Sequence, residues 1–277
     1  MKILVPFDFS KSAEKALDYA IWHQRQFGGS IDVLHAISGI IATPEMPMIL
    51  PDDMVINGAR ERLEEIIKIK RTENKLSDEA MQCQVLVGTP ASSILLKEKS
   101  ENYDLIIMGT HDKESLFDRI LGSVSNTVVK LSNCPVLAVH STSKADIRME
   151  KVLFVIDDVT HINTALDHFL EYNNKVKAKT DFVHFSKGDD NIDQQAEEIL
   201  KKYYTINELG FAFELKNIFS KDPIADISQL AVEGGYDMIA MVRDNEGLFF
   251  NYFRPSFSIK AIHHTLVPAL IFKAKES

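Results

Sequence analysis

The chain is short of cysteine, of basic charge and of long apolar runs, and each shortage excludes something. Its 277 residues include two cysteines, Cys83 and Cys134, too few for a disulfide framework. Both lie in or beside apolar strand-like runs, the usage of buried, reduced thiols. No Cys/His spacing of the zinc-binding kind occurs, and the adjacent His263-His264 point in different directions on a helix. The 31 Lys and Arg are outnumbered by 40 Asp and Glu, for a net charge of −9. That balance argues against a nucleic-acid or anionic-membrane surface, which needs a basic patch. No apolar run approaches the ~20 residues that span a bilayer. The opening MKILVPFDFS is too short and interrupted in its apolar part for a secretory signal. A Walker loop, a Rossmann glycine pattern and a Ser-His-Asp elbow are all missing. The expectation is a cytoplasmic globular protein, in keeping with 45% hydrophobic and 26% charged residues.

What is present is organised around one stretch, Met108 to Val129. The apolar run from Asp104 to Met108 reads as a buried strand, with Gly109 at its exit. Gly122-Ser123 then opens a run with apolar residues at helical spacing, Val124, Val128 and Leu131. A strand, a glycine, a loop and a Gly-Ser at a helix start can hold an anion. The helix start offers free N–H groups and a positive dipole end, and glycines let phosphate oxygens approach the backbone.

The remaining elements alternate. Lys2–Pro6 predicts a strand, and Ser10 caps a helix whose stripe is Ala13, Ala16, Leu17, Ala20 and Ile21. Gly28-Gly29 stops it, and Ile31–Ile37 predicts a second strand. Residues 39–54 hold three prolines and predict a loop or lid. Arg60–Lys70 predicts an amphipathic helix with Leu63, Ile66 and Ile67 inward, its run RERLEE forming a solvated face. A strand at Gln82–Val87, a helix through Ile94 and Leu95, and a last strand at Pro135–Val139 follow. This is the alternation of a parallel α/β sheet.

After a polar linker the pattern restarts. Lys2–Asp8 recurs as Lys151–Asp157, and the helix stripe recurs as Ile162, Ala165, Leu166, Phe169 and Leu170, at an offset of 149. Pro90, Tyr103-Asp104 and Cys134-Pro135 recur as Pro223, Tyr236-Asp237 and Val267-Pro268, at an offset of 133. The chain is an internal duplication with two domains, residues 1–143 and 148–277.

ILVPFDFS, LHA, GTP, IIMGTH with Gly-Ser thirteen residues on, and CPVLAV together resemble the universal stress protein family. The match covers the first repeat fully and the second more weakly, so the chain resembles a tandem member. The resemblance implies an α/β fold of two five-stranded parallel sheets with helices on both faces. It also implies pairing through the last strands, here 135–139 and 268–272, within one chain or in a homodimer. Many members bind ATP between the end of strand one and the glycine-rich loop after strand four. By that resemblance Pro6 and Asp8 line the adenine and ribose end, and the backbone of Ala36 meets the adenine edge. Met108 and Val124 flank the phosphates. Gly109, Gly122 and Ser123 fill three positions of the family's nucleotide motif, and Asp112 stands where its second glycine belongs.

Asp112 brings a carboxylate toward the phosphates, and Mg²⁺, Lys113 or Arg119 would have to offset it. His111, in the same loop, is a candidate donor to them, and Asp8 has a second reading as a cap near Ser10. His35 and His184 read as packed, hydrogen-bonded side chains. In the second repeat Val242, Asn245 and Pro255 replace the three glycines, so this copy is not expected to bind ATP by the family's route. Its aromatic segment 248–253 either fills the vacated pocket or docks a protein partner. Three functions stay open: an ATP- or AMP-responsive stress protein, a nucleotide-independent scaffold, and a slow ATPase. The last lacks an evident general base, so an enzyme is the less favoured class.

Overall fold

In the computed structural model the described residues are 1–39, 51–110, 123–144, 146–156, 162–186, 198, 211–220, 223–243 and 267–273. They form two compact units that divide between Ser141 and Thr142.

The first unit holds strands β1 (Lys2–Pro6), β2 (Ser30–Ile37), β3 (Met81–Val87), β4 (Leu105–Gly109) and β5 (Val136–Val139). Its helices are α1 (Lys11–Phe27), α2 (Asp53–Asn74), α3 (Pro90–Ser100) and α4 (Ser123–Leu131). The strands are parallel, in the order β3-β2-β1-β4-β5. The chain moves outward from β1 to β2 and β3, then returns to the other side of β1 with β4. Ligands in open α/β sheets bind at this reversal, beyond the strands' carboxyl ends. Here that point lies after Pro6 and Gly109.

Local chemistry accounts for the elements. Ile3, Leu4 and Val5 of β1 and Ile106 and Ile107 of β4 are fully buried, as central parallel strands covered on both faces must be. Ser10 caps α1 by accepting from the Ala13 N–H at 3.2 Å. Helix α1 buries Ala13, Ala16, Leu17, Ala20 and Ile21, the stripe read from the sequence. Gly28 and Gly29 end it at φ of +67° and +100°.

Helix α2 departs from the sequence reading. It starts at Asp53 rather than Arg60, because the Asp52 carboxylate accepts from the Val55 N–H at 2.9 Å and caps it. Only residues 40–50 of the proline-bearing segment lie outside the described residues. Leu63 and Ile67 are buried as expected, while Ile66 is half-buried. Cys83 and Cys134 are free but half-buried rather than buried. Burial still pushes the Cys134 thiol up to about 12, so it is not a reactive thiolate.

The second unit repeats the plan with β6 (Lys151–Ile156), α5 (Ile162–Val176), β7 (Lys179–Ser186), β8 (Phe213–Phe219), α6 (Pro223–Glu233), β9 (Met238–Arg243) and β10 (Ala269–Lys273). Its parallel order is β8-β7-β6-β9-β10. Phe154, Phe169, Phe182 and Phe272 form an aromatic core, with Phe154–Phe169 centroids 4.8 Å apart. The repeat offsets place Val5, Ala20, Val33 and Val139 at these positions in the first unit.

Both units share a polar clamp at the amino ends of their strands. Tyr103 donates to Asp32 Oδ2 at 2.6 Å, and Asp104 accepts from the Lys2 N–H at 2.6 Å. Lys2 Nζ lies 4.7 Å from the Tyr103 ring centroid. In the second unit Tyr236 donates to Asp181 Oδ2 at 2.5 Å, and Asp237 accepts from the Lys151 N–H at 3.1 Å. Lys151 Nζ stands 4.2 Å from the Tyr236 ring centroid, and Lys216 Nζ adds an ion pair to Asp181 at 2.7 Å. Burial works against the charge of Asp181, but the bonds from Lys216 and Tyr236 outweigh it and hold its carboxyl below 3.8. Burial, reinforced by Asp181, pushes the Tyr236 hydroxyl up to about 12.

The clamp therefore stabilises the second unit in full above pH 3.8 and loses that contribution as pH falls through the lowered folded value. Asp181→Ala leaves the buried Tyr236 hydroxyl without its acceptor, and the expected cost at pH 7 is about 1–3 kcal/mol. Denaturant titration checks this at pH 7 and again below pH 3, where the gap between variant and parent should narrow.

Candidate functional site

The crevice beyond β1 and β4 is a cavity of about 220 Å³. Of the residues singled out in the sequence, Pro6, Asp8, Ala36, Met108, Gly109 and Val124 line it. Ser123 is the exposed first residue of α4 and stands at the cavity's edge in sequence, beside Val124. Asp112, Gly122 and His111 lie outside the described residues, as do Asp157 and the aromatic segment 248–253. Sequence reasoning did not name Phe7, Ala13, Leu34, His35, Pro90, Ile94 and Ser125 as lining residues. Ile94 sits in the first turn after Gly-Thr-Pro, and a turn that follows a strand's carboxyl end was the available signal.

Gly109 has a structural reason to be glycine. A Cβ there would lie 2.5 Å from the Ser12 carbonyl carbon and 2.6 Å from the Ala13 nitrogen. The first turn of α1 thus packs directly onto the end of β4, which only a residue without a side chain allows. Ser125, in the first turn of α4, closes the other side by donating from Oγ to the Gly109 carbonyl at 3.2 Å. The amino ends of α1, α3 and α4 all contribute to the cavity through Ala13, Pro90 and Val124. The Ala13 N–H is taken up by the Ser10 cap and Pro90 has none, so what these ends offer a negatively charged ligand is chiefly their positive dipole ends.

Ser10 itself caps α1, while Asp8 orders the turn before that helix. Its Oδ1 accepts from the Ser10 N–H at 3.0 Å and from the Ser10 hydroxyl at 2.5 Å, which orders the turn into α1. The residue is exposed and lines the cavity, so its carboxylate is also available to hydroxyl donors of a ligand.

The next residue, Phe9, adopts φ of +64°. This left-handed conformation costs a bulky residue roughly 1–2 kcal/mol and persists only where surrounding contacts enforce it. Its ring packs against His35 at 4.7 Å between centroids and edge-on to Phe7 at 5.4 Å. The Arg62 guanidinium of α2 covers it at 4.3 Å from the centroid. Arg62, read in the sequence as part of a solvated face, therefore has a partner. His35 Nδ1 donates to the Phe7 carbonyl at 2.7 Å, tying β2 to the same turn, as its packed reading requires.

In the second unit Val242 lies within β9, opposite Phe272, where Gly109 lies opposite Val139 in the first. The glycine that admits the first turn of α1 has no counterpart there. Among the described residues no cluster of three His, Cys, Asp or Glu side chains is placed to hold a metal.

Gly109→Ala should force the first turn of α1 away from β4, at a cost of about 1–3 kcal/mol. The expected signature is a lower denaturation midpoint together with faster amide exchange at Ser12 and Ala13.

Comparisons with known proteins agree with this geometry. A family model described as the universal stress protein family matches residues 1–140. A universal stress protein of Methanocaldococcus jannaschii is 33% identical over 151 residues, covering 50% of this chain and 93% of the relative. One from Bacillus subtilis is 31% identical over 145 residues, covering 50% and 98%. The crystal structure of a universal stress protein from Archaeoglobus fulgidus covers 99% of this chain and 98% of its own, with a TM-score of 0.73 at 22% identity, which shows a shared fold. No helix among the described residues is long and apolar enough to cross a membrane. On the family model, the relatives and the sheet order together, the chain belongs to the universal stress protein family.

Proposed function

We propose that the protein is a cytoplasmic stress-response sensor that binds one adenine nucleotide, ATP or AMP, in its first unit. The observation that carries this reading is the cavity at the β1/β4 reversal. It combines apolar walls for a base, the Asp8 carboxylate for sugar hydroxyls, and three helix amino ends for phosphates. Its volume of about 220 Å³ is below the ~300–1,000 Å³ usual for a drug-sized ligand. On this reading the cavity formed by the described residues takes only part of the nucleotide.

Mg²⁺ beside the phosphates would offset the charge of Asp112. The second unit, with Val242, Asn245 and Pro255 at the glycine positions, acts as a structural or partner-binding half. Those same replacements favour the second reading, a scaffold that works without nucleotide. Calorimetry on the full chain with ATP and Mg²⁺, and separately with AMP, distinguishes the two. Heat that saturates at one nucleotide per chain supports the sensor. No heat with either nucleotide supports the scaffold.

The charge at residue 112 supplies a sharper prediction. Two unit charges ~4 Å apart at an effective dielectric near 20 repel by about 4 kcal/mol, or about three decades of affinity. Asp112→Gly should therefore tighten ATP by at least about tenfold and leave uncharged adenosine unchanged. ATP affinity that stays the same would mean the carboxylate is already neutralised, and parallel titrations with and without Mg²⁺ would then show whether the ion is responsible.

A further inference from the structure

We propose that Phe9 is a positioning residue: wedged between His35 and Arg62 in a left-handed conformation, it aims the Asp8 carboxylate at the sugar of a nucleotide in the first unit. The inference rests on the nucleotide reading of the cavity and adds to it the part that sets ribose recognition.

Phe9 pairs a bulky side chain with a backbone conformation that such residues rarely adopt. A position at φ of +64° suits glycine, and an aromatic side chain there is held against its preference. Three separate elements hold it. The ring meets His35 from the end of β2, Phe7 from the exit of β1, and the Arg62 guanidinium from α2. His35 is itself fixed by its bond to the Phe7 carbonyl. The result is a turn in which the chain leaves β1, reverses at Phe9 and enters α1 at Ser10.

Asp8 is the residue this turn presents. Its Oδ1 is anchored by the Ser10 N–H and hydroxyl, which sit immediately beyond Phe9. Among the described residues no hydrogen bond falls on Oδ2. An exposed carboxylate with one oxygen anchored, on a residue that lines the cavity, is set to accept from a sugar hydroxyl. With glycine at residue 9 the backbone could adopt the same φ without strain, but it would also reach many other conformations. The stack selects one of them.

The test compares ATP with 2′,3′-dideoxy-ATP on the full chain by calorimetry. A hydrogen bond to a charged group corresponds to roughly a tenfold or greater preference for the hydroxyl-bearing ligand, and the parent protein should show it. Phe9→Gly relieves the backbone strain, so the fold is expected to survive. The variant should lose most of the preference for ATP, with dideoxy-ATP affinity changed less than about threefold. Phe9→Tyr keeps the stack and should restore the preference. Asp8→Asn should abolish it, and adding Phe9→Gly to Asp8→Asn should change nothing further.

A Phe9→Gly protein that keeps the full preference overturns the inference while leaving nucleotide binding intact. A parent protein that binds both ligands equally also overturns it. A parent protein that binds neither overturns the nucleotide reading, and the sugar-recognition role with it. Amide exchange in the ligand-free chain separates the two failures. The Ser10 N–H should exchange at least about tenfold faster in Phe9→Gly, and unchanged exchange shows that Phe9 does not order the Asp8 turn.

Discussion

The first unit depends on the contact between the first turn of α1 and the end of β4. Gly109 makes it possible, because any Cβ would overlap the backbone of Ser12 and Ala13. Several consequences follow from that one approach. It brings the amino end of α1 to the reversal in strand order. It places Asp8, two residues before the cap Ser10, at the mouth of the crevice. It also leaves the Gly109 carbonyl for Ser125 at the start of α4. A site of convergent helix ends is therefore a product of strand–helix packing before any ligand is considered.

The two ends of the strands have different histories in the two units. At the amino ends the clamp of lysine, aspartate and tyrosine is present in both, with the same donors and acceptors. That end is structural: Asp181 is fully buried and Asp32 half-buried, so the aspartate needs its partners, most of all in the second unit. At the carboxyl ends the first unit keeps Gly109 where the second has Val242. The second unit also carries phenylalanines where the first has alanine and valines. A fold held by its clamp and core tolerates change at the carboxyl ends of its strands, so the two repeats can differ there without losing the fold.

Much of the fold was legible in the sequence because central parallel strands and a capped amphipathic helix write strong local patterns. Lys2–Pro6 and the stripe of α1 appear where the periodicity places them. The start of α2 was not legible in the same way: prolines nearby suggested a loop, and the capping role of Asp52 became clear only from its bond to Val55. The lysine and the Tyr-Asp pair of the clamp were visible as repeated residues, but their partner aspartate was not, since Tyr103 meets Asp32 across 71 positions of chain. Phe9 was opaque for a physical reason. Its conformation opposes its own preference and is enforced by His35 and Arg62, residues that local propensity cannot connect to it. Within the site, Pro6, Asp8, Ala36, Met108, Gly109 and Val124 were anticipated and do line one cavity. Apolar walls such as Ile94 carry no chemical label and were missed.

The central claim is that one unit of the two takes the nucleotide. Photolabelling of the full chain with 8-azido-ATP, followed by peptide mapping and competition with unlabelled ATP, tests it most directly. The account predicts competable label only on peptides from the first unit, ahead of Ser141. Competable label on peptides of the second unit, or none on either, would contradict it.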